Sequence, residues 1–260
     1  MRPISTPDAA GAYDTLAPFY DRFTAHHDYD LWTRALLKLA YRHGLSGRRA
    51  LDAGCGTGKS FLPLLERGFD VTACDQSRAM LDVAAAKAGG HQVTLHCRDL
   101  RALDAIGEFD LITCLDDVAN YLTEPRELTA ALAGLAGNLR RGGVLVFDAN
   151  TIATYRGFFR ETAVVEEERL MMVWRGLADE GFAPGGLAQA ALDIFSESRG
   201  GWSRTTSRHD QRHHTREIVD RCLDHAGLRR VAVYGQDPAV NFDDEVDELR
   251  HSKAIYLVTR

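Results

Sequence analysis

One glycine-rich loop and a series of acidic residues carry most of the chemistry that this chain can do. The loop spans residues 52–60, reads DAGCGTGKS and directly follows a short apolar run. Further along the chain, acidic side chains follow other apolar runs, at Asp75, Asp99, Asp116, Asp117 and Asp148. Glycine lets a backbone approach a ligand closely, and carboxylates accept hydrogen bonds and pair with cations. The two features together indicate a ligand-binding site.

The elements that must position these residues follow an alternating pattern. Between residues 50 and 150, short apolar runs alternate with helical spacing, which is typical of βαβ units and a parallel sheet. We predict strands at 50–53, 69–74, 93–97, 109–115 and 144–147. Helix N-caps are predicted at Ser77 and, further on, at Thr215. Because the carboxyl ends of parallel strands form the ligand crevice of an open sheet, the loop and the acids should lie along one edge.

The loop itself has three interpretations. Residues 53–60 satisfy a relaxed phosphate-binding loop, in which Lys59 would hold the terminal phosphates. The glycines also resemble a dinucleotide fingerprint, although their spacing is G-x-G-x-G and not G-x-G-x-x-G. Finally, an apolar pair followed by D-x-G-x-G-x-G resembles motif I of the class I S-adenosylmethionine-dependent methyltransferases. In that third case Lys59 would point towards solvent or the helix surface.

The surrounding charges favour the third interpretation. A triphosphate site gains from low negative charge nearby, whereas acidic residues follow this loop at successive strand ends. S-adenosylmethionine carries an ammonium, a sulfonium and a ribose diol, for which carboxylates are suitable partners. Asp75 lies 17 residues after Gly58, where it can accept both ribose hydroxyls, and Asp99 can reach the adenine amino group. A P-loop nucleotidase stays open as an alternative, with Asp110 or Asp148 as its magnesium-binding acid.

Further segments resemble the same family. The opening Y-D-x-x-A-x-x-Y-D at residues 13–21 resembles that of many small-molecule methyltransferases. GFDVTACDQSRAML, FDLITCLDDVANYL and LRRGGVLVFDANT extend the resemblance to about residue 151. The chain is similar to methyltransferases of small metabolites, including the amino-sugar N-methyltransferases and glycine N-methyltransferase. The resemblance implies a Rossmann-like, mostly parallel α/β sheet flanked by helices. It also implies an N-terminal helical lid and an antiparallel β insertion after the fifth strand.

The resemblance assigns residues to a cofactor, S-adenosyl-L-methionine, with S-adenosyl-L-homocysteine as its product. In the lid, Tyr20 would touch the methionine part, with Tyr13 and Trp32 nearby. Asp52 would face the ammonium of that part through water. From the loop onward, the other implied cofactor-binding residues are Gly54, Cys55, Gly56, Asp75, Gln76, Met80, Asp99, Leu100 and Leu115.

The acceptor should lie beyond the fourth strand, where the transferable methyl group is expected. Asp116, Asn120 and Tyr121 follow that strand and are candidates for acceptor contact. Methyl transfer depends mainly on orientation, and a general base is useful but not required. Further candidates for the catalytic site lie where the insertion rejoins the core, namely His209, Arg212, His213 and His214, and a neutral histidine there could serve as the base. We expect no metal, because the histidines, His26 and His27 included, have no ligand spacing with acids or cysteines.

We divide the chain into three parts. These are a lid (1–46), a cofactor-binding core (47–155 and 209–260) and an antiparallel β cap (156–208). We expect the cap to select the acceptor, and its strand edges are also a candidate homodimer surface. The cap side chains expected beside the crevice are Arg160, Arg169, Trp174, Arg175, Phe195, Trp202 and Arg204.

Composition argues against several classes of protein. The 260 residues are 45% hydrophobic and carry a net charge of −6 without a basic run, so nucleic acid is not an expected partner. No apolar stretch suits a membrane span, residues 1–14 lack a signal-peptide core, and five unclustered cysteines fit a reducing cytoplasm. We predict a cytoplasmic S-adenosylmethionine-dependent methyltransferase acting on nitrogen or oxygen of a small molecule, such as a secondary metabolite. A regulatory protein that binds the cofactor without turnover is the other alternative.

Overall fold

The computed structural model describes residues 9–260, so residues 1–8 of the predicted lid lie outside the described part. The strands, in chain order, are β1 (Arg49–Ala53), β2 (Asp70–Asp75), β3 (Val93–Cys97), β4 (Phe109–Cys114), β5 (Leu139–Asn150), β6 (Thr162–Glu167), β7 (Leu170–Gly176), β8 (Leu187–Ser198), β9 (Gly201–Arg212), β10 (Arg229–Gln236), β11 (Phe242–Asp243) and β12 (Lys253–Thr259). The helices are α1 (Ala9–Leu16), α2 (Tyr20–Phe23), α3 (Tyr29–Arg42), α4 (Leu62–Glu66), α5 (Arg78–Ala88), α6 (Pro125–Asn138), α7 (Ile152–Arg156) and α8 (Arg216–His225).

The core is one sheet with the strand order β11-β10-β12-β5-β4-β1-β2-β3. Strands β1 to β5 pair in parallel, whereas β12 is antiparallel to both β5 and β10. Every position of the central strand β4 is buried, as expected for a strand covered by helices on both faces. The predicted Rossmann-like α/β class is confirmed.

The fifth strand differs most from its predicted range. It begins at Leu139, which already pairs with Phe109 of β4, and the register then shifts around the left-handed Gly142 (φ 79°). It also continues to Asn150, so Asp148 lies inside the strand and not at its end. The short strand β11 was not predicted, because two residues are too few to form a pattern.

The two predicted N-caps are present. The Ser77 hydroxyl accepts a hydrogen bond from the backbone N–H of Met80 (3.1 Å), and Thr215 accepts one from Ile218 (3.4 Å). Each cap pairs a backbone donor that a helix start leaves unsatisfied. Ser77 thereby starts α5 immediately beyond β2, at the sheet edge where the site is predicted.

The lid helices pack against both sheets, α3 against the core sheet and α1 against the inserted sheet. Trp32 and Leu36 of α3 are buried in one cluster with core-sheet residues such as Val146. Leu16 of α1 is buried in another cluster together with Trp174 of the insertion. Helix α1 contacts both β9 and α5 and so lies between part of the inserted sheet and the core, whereas the end of β9 also contacts the turn after β4 directly.

The insertion is a four-stranded antiparallel sheet in the order β6-β7-β8-β9. The predicted boundary between residues 208 and 209 is wrong, because β9 continues unbroken to Arg212. The cap arginines that we expected beside the crevice pair instead with acids of the cap, in the contacts Arg160–Glu180, Arg169–Glu197, Arg175–Asp193 and Arg204–Asp193.

Two further features concern membrane-spanning helices and the cysteines. Between residues 9 and 260, no helix has both the length and the apolar character needed to cross a membrane. All five cysteines are free thiols. Four of them are buried, whereas Cys97 is exposed at the end of β3.

Trp174 connects the cap to the lid. Its ring stacks on Phe158 (centroids 4.7 Å apart) and lies 6.0 Å from Phe23 of α2. Replacing Trp174 by alanine should lower the free energy of unfolding by about 3–5 kcal/mol, because a buried aromatic side chain leaves a cavity. Urea denaturation followed by circular dichroism measures this loss. Trp202→Ala, at an exposed position of β9, is the control and should cost less than about 0.5 kcal/mol; similar losses would contradict the burial of Trp174.

Candidate functional site

A pocket lies where the lid covers the carboxyl ends of the parallel strands, and its space, including the part open to solvent, is about 990 Å³. The predicted site residues that line it are Tyr13, Tyr20, Gly54, Cys55, Gly56, Asp75, Gln76, Asp99, Leu100, Leu115, Asp116 and Tyr121. The lining residues that we did not predict are Tyr29, Lys59, Ser60, Arg98, Arg101, Val118 and Leu122.

The cap does not contribute to this wall. All of residues 160–208 are described, and none of them lines the pocket. The expectation that cap side chains face the crevice is therefore wrong. The physical reason is that α1 and the turn after β4 both pack against β9 and themselves form this part of the wall.

The glycine loop adopts a backbone conformation that favours glycine. Gly54, Gly56 and Gly58 all have positive φ, between 51° and 85°. A Cβ atom at Gly54 would lie 2.7 Å from the Val118 side chain, whereas one at Gly56 would meet nothing within 4 Å. Gly56 therefore presents bare backbone to open space in the pocket, which fits the close approach of a ligand.

Asp75 holds this loop from the end of β2. Its Oδ2 accepts a hydrogen bond from the backbone N–H of Gly56 (2.9 Å), and its Oδ1 accepts one from Ser77 (2.8 Å). Burial raises the pKa of Asp75, although these N–H groups oppose the rise. A carboxylate accepts about four hydrogen bonds, so both oxygens keep accepting capacity in the pocket wall.

Asp52 lies behind the wall and not in it. The Ser60 hydroxyl donates to its Oδ2 (2.5 Å) and the Thr113 hydroxyl to its Oδ1 (2.7 Å). Burial raises the pKa of this carboxyl to about 6, despite both hydroxyls. Asp52 does not line the pocket as expected, because its two oxygens join Ser60, at the end of the loop, to Thr113 of β4.

Asp99 lines the part of the pocket beyond β3, together with Leu100. Arg101 holds its carboxylate through two nitrogens, with Nε at 2.9 Å and Nη2 at 2.6 Å from Oδ2. Burial alone would raise the pKa of Asp99, but the hydrogen bonds from Arg101 outweigh it and lower the pKa. This end of the pocket therefore carries a paired charge, with Arg98 also in the wall.

In the two Tyr-Asp pairs of the lid, the tyrosines and the aspartates have different roles. Both tyrosines line the pocket, whereas both aspartates attach the lid to the core. Asp14 accepts a hydrogen bond from the Ser77 hydroxyl (2.5 Å). Asp21 accepts one from Thr57 of the glycine loop (2.6 Å) and pairs with Lys87 of α5 (2.7 Å).

Lys59 points towards the lid, so the expected solvent orientation is wrong. Its Nζ donates to the carbonyl (2.7 Å) and the hydroxyl (2.9 Å) of Thr24, and lies 4.8 Å from the Tyr29 ring centroid. The Thr24 carbonyl also accepts the backbone N–H of His27 (3.1 Å), so Lys59 joins the turn after α2 to the glycine loop. Trp32 lies outside the pocket wall, where its indole N–H donates to Gln236 (2.7 Å).

The turn after β4 contains two consecutive acids in the left-handed region, Asp116 (φ 65°) and Asp117 (φ 57°). Aspartate is one of few non-glycine residues that adopt this conformation. Oδ2 of Asp116 accepts hydrogen bonds from the hydroxyls of Tyr29 (2.6 Å) and Tyr20 (3.1 Å). Burial would raise the pKa of Asp116, but Lys253 and these hydroxyls outweigh burial and lower it. The turn therefore presents an anion to the pocket.

Asn120 and Arg212 lie outside the pocket wall and connect segments of the fold. The Asn120 amide donates to the Arg212 carbonyl (2.8 Å) and accepts from the Asn150 backbone (2.9 Å). The Arg212 side chain donates to the carbonyls of Gly185 (2.7 Å) and Thr123. Both residues therefore join the β4 turn to the end of β9 and do not face an acceptor.

His209 is separated from the pocket by Tyr121. Its Nδ1 lies 2.9 Å from the Tyr121 hydroxyl, and its Nε2 lies 3.0 Å from the hydroxyl of Ser207. Burial lowers the pKa of His209 to about 4, so the imidazole is neutral near pH 7. His209 is thus positioned to orient Tyr121, which lines the pocket, and not to contact an acceptor.

The other histidines and Met80 are also outside the wall. His213 pairs with Glu248 (3.0 Å), and His214 hydrogen-bonds the Leu122 carbonyl (3.0 Å). Met80 is buried in the cluster that joins α1 to the cap. Over residues 9–260, no group of three or more His, Cys, Asp or Glu side chains is arranged to hold a metal ion.

Comparison with known proteins agrees with this geometry. Residues 50–143 match a family model described as a methyltransferase domain. A protein of Geobacillus sp. (strain WCH70) named "Putative methyltransferase" is 31% identical over 166 residues, which are 62% of this chain and 67% of that protein. The chain belongs to the S-adenosylmethionine-dependent methyltransferases.

Solved structures share the fold of this methyltransferase over nearly its whole length. An S-adenosylmethionine-dependent methyltransferase from Clostridium acetobutylicum has a TM-score of 0.78 at 24% identity, covering 95% of this chain and 98% of its own. The sugar N-methyltransferase KedS8 from Streptoalloteichus has a TM-score of 0.74 at 21% identity, covering 100% and 99%. The cofactor of this methyltransferase is S-adenosylmethionine, and the nucleotidase and regulatory alternatives find no support.

The neutral state of His209 predicts an acid-sensitive fold. Its pKa falls from 6.5 to about 4 on folding, so the stabilisation is complete above pH 6.5 and is lost as the pH falls towards 4. His209→Gln should reduce the difference in unfolding free energy between pH 7 and pH 5 by about 2 kcal/mol. Urea titrations at both pH values measure it, with the exposed His91→Gln as the control. An unchanged difference in the His209 variant would contradict a buried neutral imidazole.

Proposed function

We propose that this methyltransferase transfers the methyl group of S-adenosylmethionine to the nitrogen of a small-molecule amine. The observation that supports this most strongly is the Asp116 carboxylate, which lies in the pocket wall with a lowered pKa. Such a carboxylate is a good partner for an amine N–H, because hydrogen bonds to charged groups are strong. It is a weak base for a hydroxyl, which must lose its proton to react. The similarity to KedS8, a sugar N-methyltransferase, agrees with an amine acceptor.

At the cofactor end we assign roles to residues of the pocket wall. The remaining capacity of the Asp75 oxygens suits the two ribose hydroxyls, and the bare backbone of Gly56 suits the methionine part. Asp99 and Leu100, which share one end of the wall, suit the adenine amino group and ring. The wall residues assigned to the rest of the cofactor are Tyr13, Tyr20, Gly54, Cys55, Gln76 and Leu115.

At the acceptor end, the chain mainly orients the nitrogen. Bound S-adenosylmethionine supplies a methyl group that its sulfonium already activates. Asp116 would accept a hydrogen bond from the amine N–H and so direct the nitrogen lone pair, while Tyr20 and Tyr29 hold the carboxylate in place. The ring of Tyr121 forms part of the same wall and is fixed through His209. Orientation of this kind can supply on the order of 7–11 kcal/mol of the barrier reduction.

We retain three coarser expectations as proposals. The lid, core and cap act as separate parts, with the boundary between cap and core moved to residue 212. A homodimer through the cap is supported by its exposed apolar side chains Val164 and Trp202. A cytoplasmic location and the absence of nucleic-acid and membrane partners stay predictions from composition.

The role of Asp75 is tested with a ligand that lacks one of the two ribose hydroxyls proposed to bind this carboxylate. Asp75→Asn should weaken binding of S-adenosylhomocysteine at least tenfold, because hydrogen bonds to a charged carboxylate contribute about 1.5–3 kcal/mol each. Wild-type protein should also discriminate against 2′-deoxy-S-adenosylhomocysteine, and the variant should not. Calorimetric titration measures both ligands, with the exposed Asp82→Asn as control. Full discrimination in the Asp75 variant would contradict the assignment.

The amine assignment is tested with pairs of sugars that differ only by an amino group or a hydroxyl at one carbon. We expect S-adenosylhomocysteine release with the amino members. Asp116→Asn should lower kcat/KM about 10- to 100-fold, because a charge-assisted hydrogen bond is lost, while S-adenosylhomocysteine affinity stays within about threefold. Tyr29→Phe removes one hydroxyl from Asp116 and should have a smaller effect. Faster transfer to the hydroxyl members would contradict the proposal.

A further inference from the structure

Lys253 lies behind the acceptor end of the pocket and has so far been given no function. It is the first residue of β12, and its side chain is only 15% exposed. Its Nζ lies 2.6 Å from Oδ2 of Asp148 on β5 and 5.5 Å from the centroid of the Trp32 ring. The same nitrogen lies 3.6 Å from Oδ1 of Asp116.

Three carboxylates meet around this ammonium. The backbone N–H of Asp117 donates to Oδ2 of Asp148 (2.9 Å), which brings the turn after β4 against β5. Among residues 9–260, the other oxygen of Asp148 has no hydrogen-bond partner. Burial raises the pKa of Asp117 to about 7 and also raises that of Asp148. Three buried carboxylates this close cannot all be ionised without a cation beside them.

The distances separate two effects of Lys253 on Asp116. At 3.6 Å, Nζ is too far from Oδ1 for a hydrogen bond, but close enough for strong Coulomb attraction where water is scarce. The hydrogen bond of Lys253 goes instead to Asp148. The hydroxyls of Tyr20 and Tyr29 both donate to Oδ2 of Asp116, so the ammonium stabilises the charge of Asp116 without occupying Oδ1.

We propose that Lys253 is a positioning residue, which keeps Asp116 ionised while leaving Oδ1 able to accept a hydrogen bond from the acceptor. The part of this proposal that concerns the acceptor rests on the proposed function. Asp148 serves as the anchor that holds Lys253 at the required distance.

The groups that face Asp116 determine the direction of the expected change. Asp117 and Asp148 disfavour its ionisation, as burial does, whereas Lys253, His27 and the two phenols favour it. Burial lowers the pKa of His27, which weakens its contribution near pH 7, and the hydrogen bonds of Lys59 go to Thr24. Without Lys253, the pKa of Asp116 should rise. When the pH is lowered, an activity that needs the Asp116 anion would therefore disappear at a higher pH in the variant than in the wild type.

The test is a titration of the Asp116 carboxyl itself, followed by the 13C resonance of labelled aspartate and assigned with Asp116→Asn. We expect the Asp116 pKa to rise by at least one unit in Lys253→Met and to stay within about 0.3 units in Lys253→Arg. The exposed Lys38→Met is the matched control and should leave the titration unchanged. The acidic limb of the kcat/KM profile for the amino sugars should move in parallel. S-adenosylhomocysteine affinity at pH 8 should stay within about threefold.

Failure of this inference is distinguishable from failure of the proposed function. An unchanged Asp116 titration in Lys253→Met overturns the inference, whatever happens to activity. A shifted titration, combined with wild-type activity in Asp116→Asn, supports the effect of Lys253 on Asp116 and overturns the acceptor role. If Lys253→Met does not fold, the lysine is removed in a background that also lacks the Asp148 carboxylate, so that fewer buried charges are left without a cation. The Asp116 titration of Asp148→Asn is then compared with that of the double variant Asp148→Asn/Lys253→Met. Coincident Asp116 titrations in that pair overturn the inference.

Discussion

The lid must be held against the carboxyl edge of the sheet, and the pocket depends on this attachment. Asp14 and Asp21 accept hydrogen bonds from the segments that follow β1 and β2, and Lys59 binds the end of α2 from the opposite direction. From outside, the cap packs on α1 and so supports the lid. The inserted sheet therefore affects the site through the lid and through the contact of His209 with Tyr121, so a large insertion can flank a pocket without lining it.

Three acids near one sheet edge have different properties because their partners differ. Asp52 is buried against two hydroxyls, and its pKa is raised to about 6. Asp75 is buried against backbone N–H groups, which oppose but do not overcome the effect of burial. Asp116 is buried too, yet a lysine and two phenols reverse the effect. The parallel strands thus bring these acids together, whereas the charges and hydrogen-bond donors around each one determine which of them is an anion in the pocket.

Local sequence patterns were sufficient to predict the parallel sheet, the glycine loop and both N-caps, because each depends on residues close in the chain. The interactions that define the acceptor end connect distant segments. Lys253 and Asp148 are 105 positions apart, and Tyr29 and Asp116 are 87 apart, so no spacing pattern could relate them. Our prediction that the cap side chains face the crevice was wrong for a similar reason. The alternation of apolar and polar residues along a strand indicates which residues share a face, but not which neighbour covers that face.

The left-handed turn at Asp116 and Asp117 has a consequence for changing the substrate range of this enzyme. A side chain other than aspartate, asparagine or glycine would strain the backbone there, so few replacements are available at a central point of the wall. The tyrosines opposite come from helical lid segments that accept most residue types. Directed evolution or design of new acceptor preferences therefore has more freedom in the lid than in the turn, and a library that varies both equally would introduce backbone strain at two positions in most of its members.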